Sequence, residues 1–477
     1  MLPIYFITPE QCGETTYRQQ LESFTAADPD HAQTLQFALH YSYQQYYLEQ
    51  PCELTLYAIF HLQHHRGGIH SYCTIIQDNP GLALEIRQLD ASLSQLQQLG
   101  DRYNCPLLNL QQAIPLEPVS IAKPWGQEIW YTGIERRGQS KLGLQPSGLS
   151  NTPLPWLVDL LPQTLSANLN RQLILLKILD PLADDVFGDL YFEMHQRKQE
   201  VYVVTHIDPE AWPEGVGQIR FGFCQDKIAK YPDLEAFKSA YIQAAAEYEK
   251  TRASIDKLLD LKKQRLNIDK DQPVEVALMK QWLLEIPTQL SKTEQRQRTG
   301  LNSFSATKSL RVGDVLKIPC FTPHSLLHGV RTIEFQTPVY ERKILSFGQK
   351  VLTQDHWDTA EAMQLVNCDV QDPEDNLCLL KTEQVSIDVV VNYPQFKVHR
   401  YKLQAGAQRQ LEPSEDYSLF ISITGTVELN RQLLSAEQAC LLPANMSEKI
   451  LNNCGADEAI ILLAMPVTDP GNRSMLS

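Results

Sequence analysis

Residues 188–200 read GDLYFEMHQRKQE, and residues 313–328 read GDVLKIPCFTPHSLLH. Together they carry Glu193, His195, Glu200 and His324, a set able to close around one divalent metal. Glu193 and His195 are two positions apart, so on a strand both side chains point to the same face. Glu200 lies five residues further on, where a tight turn lets the next strand bring its carboxylate back. His324 would arrive from a strand distant in sequence. Two imidazoles and two carboxylates suit Zn²⁺ first, and Mn²⁺ or Fe²⁺ as alternatives.

The same stretches carry a family resemblance. The first resembles cupin motif one, a Gly followed by His-x-His and then a Glu. Gly188 stands in place, Glu193 replaces the first His, His195 is the second and Glu200 is the acid. The second resembles cupin motif two, Gly-x5-Pro-x-Gly-x2-His-x3-Asn. Gly313, Pro319 and His324 match it, Phe321 replaces the inner Gly, and His328 replaces the Asn. Among cupins the chain is most similar to type I phosphomannose isomerases, whose metal ligands are a Gln-x-His pair, the Glu of a Lys-x-Glu and a later His. Here the matching positions are Glu193 and His195, Lys198 and Glu200, and His324. KPWGQEIW at 123–130 resembles the family's opening Trp-Gly segment, and LLKILD at 175–180 the strand leading into its metal site. The resemblance spans roughly 116–470.

It implies a mainly β chain with two cupin (jelly-roll) barrels and a helical insertion. It also implies a metal-dependent aldose–ketose isomerase, converting mannose 6-phosphate or a related sugar phosphate to the ketose through an enediol. That proton transfer needs a group of tuned pKa within reach of both carbons. Lys198 matches the family's active-site lysine, and Arg342 an arginine that faces the substrate, suited to phosphate by its planar fork. Tyr191, His328 and Lys350 are the expected substrate neighbours. Three positions depart from the family: Glu193 for Gln, Tyr191 for Ser and Gln196 for Pro. Alternative readings are a cupin oxygenase using Fe²⁺, or a non-catalytic sugar-binding or regulatory cupin, because one fold hosts many chemistries.

Composition bounds the rest. At 477 residues the length prior is about three domains. The 42 basic and 57 acidic residues give a net charge of −15, a poor match to nucleic acid or an anionic membrane. The ten cysteines form no Cys-x-x-Cys pair, which predicts reduced thiols in a cytoplasmic protein. MLPIYFITPEQCG has no basic region followed by a long apolar stretch, so no signal peptide is expected. The oligomeric state is not legible.

Residues 1–115 read as an α+β region of unassigned role. Strands are expected over 53–63 and 68–77, joined by a glycine turn, with helices over 33–48 and 90–103. His61, His64, His65 and His70 gather near that turn; a polar turn is the preferred reading over a second metal site. Residues 116–205 and 300–385 would form the metal-binding barrel and 206–299 the helical insertion. In the insertion Asp233 is expected to cap a helix running to about Leu266, followed by a second helix over 272–286. The Gln-, Ser- and Thr-rich segment 288–311 reads as an exposed loop. Residues 386–477 resemble a second barrel, with Pro443 and Asn452 in register but Glu448 where the metal-binding His would stand, hence metal-free.

Overall fold

A computed structural model describes residues 2–467 except 9, 28–32, 49, 66–67, 144–149, 168–172, 370–376 and 447. The chain is mainly β, with 37% strand against 25% helix. It divides into two units: Met1–Val119 with Trp130–Leu176 and Asn376–Ser477, and Ser120–Ile129 with Lys177–Asp375. Among the described residues no helix is long and apolar enough to cross a membrane. All ten cysteines are free thiols.

The first unit contains a five-stranded sheet whose strands follow chain order, and a second pair of sheets of eight and four strands. The five-stranded sheet holds the expected hairpin, Glu53–His65 with Gly68–Gln77, and the expected helix Leu93–Tyr103, capped by Ser92. The expected helix over 33–48 is instead the strand Thr34–Gln44. It lies between Ile4–Ile7 and Glu53–His65, so both its edges are paired, and the run Phe37-Ala38-Leu39 is buried throughout. A continuous apolar run carries no period, and only pairing partners decide between helix and strand. In the eight- and four-stranded pair, the expected strands Phe396–Leu403 and Ser418–Thr424 share a core with Val427, Leu429 and Leu451.

The second unit carries a six-stranded sheet, which includes Glu200–Ile207 and Val330–Gln336, and a five-stranded sheet, which includes Gly217–Phe223, His324–Leu326, Phe192–Met194 and Lys343–Ser346. Tyr202, Val204 and Leu316 of the first meet Ile219, Leu326 and Ile344 of the second in one buried cluster, so the sheets face each other. Among the described residues no sheet closes into a barrel. The outer face of the five-stranded sheet is covered by helix Leu234–Arg265, whose Phe237, Tyr241, Ala245 and Tyr248 pack on Phe192, Met194 and Phe223. Asp233 caps that helix, accepting 2.8 Å from the Ala236 N–H. The second expected helix runs Val276–Leu284.

Segment 288–311 is not a loop. Thr288–Asn302 is a helix and Ser305–Leu310 a strand. The helix is rich in Gln, Lys and Arg, good helix formers that leave no apolar stripe to read. It docks on the long helix through Glu294, which accepts from the Tyr248 hydroxyl at 2.7 Å and stands 4.0 Å from Arg252, and through buried Leu301.

Glycine is required at 188, because a Cβ there would stand 1.9 Å from the Leu182 carbonyl oxygen and 2.7 Å from the His328 Cβ. Gly300, exposed within helix Thr288–Asn302, would meet nothing within 4 Å. Gly300→Ala should therefore stabilise the protein by about 0.5–1 kcal/mol, whereas Gly188→Ala should destabilise it by about 1–3 kcal/mol. Urea denaturation of the two variants checks both signs; a destabilised Gly300→Ala would contradict the helix.

Candidate metal centre

Glu193 is the middle residue of the short strand Phe192–Met194 and pairs directly across from His324, the first residue of its own strand. His195 follows at the strand end. Glu200 opens the strand Glu200–Ile207 on the facing sheet, so the sheets converge on the cluster from two sides. Donor atoms of Glu193, His195 and His324 all lie within 4.8 Å of one another. Glu200 Oε2 stands 3.3 Å from both imidazole Nε2 atoms. All four ligand candidates from the sequence are thus brought together.

Both imidazoles are oriented through Nδ1. His195 Nδ1 lies 2.8 Å from the Glu341 carbonyl oxygen, and His324 Nδ1 lies 3.0 Å from that of Thr322. Each Nδ1 is thereby the protonated nitrogen, which leaves Nε2 as a lone-pair donor directed at the cluster. His195 Nε2, His324 Nε2 and Glu193 Oε2 are buried and have no aligned hydrogen-bond partner. Buried polar atoms left without partners are rare and costly. A divalent cation answers all three at once, and the donor set fits one.

The turn between His195 and Glu200 is pinned by its backbone. Glu341 accepts from the Gln196 and Arg197 N–H groups, each at 2.9 Å. Thr337 and Gln199 exchange contacts at 3.1 Å. The Phe321 N–H donates 2.6 Å to the His195 carbonyl oxygen. Phe321 sits at φ +64°, and Gly313 at +92°. The position that motif two gives to Gly therefore keeps the left-handed backbone here, although the residue is Phe.

Charges are matched pair by pair. The Lys198 ammonium rests on Glu200 Oε1. Burial would raise the Glu200 pKa, but His195 and then Lys198 hold it well below the usual carboxylate range. Burial likewise opposes ionisation of Glu193, and Arg342, 3.8 Å away, keeps its pKa lowered. The His195 pKa is lowered by burial, so the ring is neutral and able to ligate. Arg342 lies over the Tyr191 ring at 4.8 Å from the centroid, and Tyr191 in turn packs on Phe347 at 4.3 Å.

Two expected substrate neighbours are engaged elsewhere. His328 Nδ1 is 2.8 Å from Asp189, and its ring stacks on Trp212. Lys350 pairs with Asp260 of the long helix at 2.9 Å. Sequence reasoning also passed over a second layer of residues. Lys177 Nζ is 3.1 Å from Glu334 and 3.9 Å from Glu128. Despite burial, Glu128 and then Glu334 keep Lys177 charged. Burial pushes the Glu334 pKa well above the usual carboxylate range, Lys177 opposes that rise, and the neighbouring Glu200 charge adds to it. Tyr202 donates 3.2 Å to Glu200. The available signal was a charged residue flanked by apolar ones within a strand, Lys177 in LLKILD and Glu334 between Ile333 and Phe335. The histidines near the first-unit hairpin form no metal-binding group among the described residues; the Arg66 and Gly67 of that turn lie outside them.

No protein-family model and no curated protein matches the chain in sequence. Solved structures match in fold. The mannose 6-phosphate isomerase from Bacillus subtilis superposes with TM-score 0.52 at 12% identity, covering 74% of this chain and 99% of that one. Two variants of phosphomannose isomerase from Salmonella typhimurium match with TM-score 0.50 and 13% identity, over 74% and 75% of this chain and 99% and 100% of theirs. The likeness is one of fold.

The geometry predicts one equivalent of Zn²⁺ or Co²⁺ per chain, measured by calorimetry on chelator-treated protein. His324→Ala should weaken binding at least roughly tenfold, and Glu341→Ala by about 10–100-fold through the loosened 195–197 turn. Unchanged affinity in both variants would place the ion elsewhere.

Proposed function

We propose that this protein is a metal-dependent aldose–ketose isomerase acting on a sugar or sugar phosphate of the mannose 6-phosphate class. The observation that carries the reading is the set of three buried, unpartnered donor atoms of Glu193, His195 and His324 within 4.8 Å, on the fold of a mannose 6-phosphate isomerase. On this reading the second unit's facing sheets are a cupin jelly roll. The paired eight- and four-stranded sheets of the first unit, built largely from residues 386–466 and joined by Ile114–Glu117, are its metal-free counterpart.

Glu193, His195, Glu200 and His324 would hold one divalent cation, with Zn²⁺ the first expectation and Mn²⁺ or Fe²⁺ compatible with the same donors. Once bound there, such a cation polarises a carbonyl and its neighbouring hydroxyl. The remaining work falls to this chain's own groups. Lys198, beside Glu200, would act as its neutral amine, taking the proton from carbon 2 at Nζ and returning it to carbon 1. Arg342, held over Tyr191, offers a guanidinium to an anionic substituent of the sugar. Tyr191 forms the apolar floor beneath it and narrows the space on that side.

A coupled assay for conversion of mannose 6-phosphate to fructose 6-phosphate tests the reading, with chelator-treated protein reloaded with Zn²⁺, Mn²⁺ or Fe²⁺. Turnover is expected with at least one ion and should fall to background in His195→Ala. Lys198→Met should lower kcat by about 10²–10⁴-fold while metal binding persists. Stoichiometric metal binding without turnover on mannose 6-phosphate or other aldoses would overturn the isomerase assignment. Oxygen uptake with Fe²⁺ would turn it into an oxygenase.

A further inference from the structure

Lys350, which the sequence placed beside the substrate, lines a different cavity. About 180 Å³ of space lies between helix Leu234–Arg265, helix Val276–Leu284 and the chain around Val186 and Gly348. Its apolar wall is Ile255, Leu259, Val274, Met279, Leu283 and Ile286. Phe192 and Met194 alternate with Glu193 along one strand and face the helices, whereas Glu193 faces the opposite sheet. The cavity therefore belongs to the helical side of the five-stranded sheet, and the metal cluster to the other.

Three cations of the cavity make direct ion pairs. Arg252 donates 2.7 Å to Asp256, Arg298 donates 3.1 Å to Glu294, and Lys350 donates 2.9 Å to Asp260. Lys263 is 3% exposed, and its ammonium donates to two backbone carbonyls, Lys270 at 2.8 Å and Gln272 at 2.6 Å. Among the described residues no carboxylate stands within 4 Å of it. An ammonium has three N–H groups, so one is left for another acceptor. Lys350 also donates to the Lys270 carbonyl at 3.1 Å, which gathers both ammonium groups at one end of the apolar wall. Val186, at the rim, is a β-branched residue held at φ +68°, a strained backbone of the kind that accumulates at ligand clamps.

We infer that this cavity is a second binding site, for a small monocarboxylate whose apolar chain or ring lies on the Leu259–Ile286 wall and whose carboxylate accepts from Lys263. Asp260, Asp271 and Asp256 act on Lys263 only from beyond direct contact, so its remaining N–H is the donor that a ligand carboxylate would meet. The volume is below that of pockets for drug-sized ligands, which restricts the body to a short acyl chain or a single ring. The inference does not rest on the proposed isomerase activity.

Ligand-observed NMR titration of the full chain with hexanoate tests it, with hexan-1-ol as the uncharged match. Saturable hexanoate binding is expected, tighter than that of the alcohol. Lys263→Met keeps the stem and removes the charge; it should weaken hexanoate roughly tenfold or more and leave the alcohol unchanged. Met279→Trp fills the cavity and should abolish binding of both. His195→Ala should bind hexanoate as the wild type does. No saturable binding, equal binding of acid and alcohol, or hexanoate binding that survives both cavity variants would overturn the site.

Discussion

Burying carboxylate oxygens and imidazole nitrogens removes their hydration, and a fold can hold them only if neighbouring charges replace it. That constraint organises the second unit. Lys198 sits on Glu200, Arg342 stands near Glu193, and Lys177 lies between Glu334 and Glu128. The three cations come from a turn, a strand-end segment and a central strand, so the charge balance ties both sheets to the same point. What these cations do not supply is a partner for the two Nε2 atoms and for Glu193 Oε2. The cluster is left unsatisfied at three buried atoms, an arrangement that fits a cation better than a closed ion network.

Arg342 illustrates how one side chain meets several demands. It offsets the Glu193 carboxylate, 3.8 Å away. It also lies on the face of Tyr191, whose ring is fixed in turn by Phe347. A guanidinium held between an acid and an aromatic face loses little further freedom on meeting an anion. The same packing makes position 191 a large residue where a small one would leave room.

The precision of the centre comes from outside it. Phe192–Met194 is only three residues long, too short to be rigid by its own hydrogen bonds. Its alternate side chains, Phe192 and Met194, are embedded against Phe237, Tyr241 and Tyr248 of the long helix. One face of the strand is thus anchored in an apolar core while the other presents a ligand. Glu341 adds a polar anchor by accepting two backbone N–H groups of the turn that follows.

Local chemistry was enough to pick out the candidate cluster, because motif spacing and side-chain type are local properties: Glu193, His195, Glu200 and His324 do converge. It was also enough for the Asp233 cap, the hairpin strands and most of the helical insertion. Three features needed the folded chain. Thr34–Gln44 became a strand because neighbouring strands pair with both its edges, and a run without periodicity carries no such information. Thr288–Asn302 became a helix through Tyr248 and Glu294, a contact between residues distant in sequence. Lys350 and His328 found Asp260 and Asp189 in place of the cluster, since the direction of a long or aromatic side chain depends on which counter-charge lies closer in space. The sequence by itself determined which atoms were available to hold a metal. The tertiary structure decided which of them face one another and which cations offset their burial, because desolvation and charge pairing act through space and not along the chain.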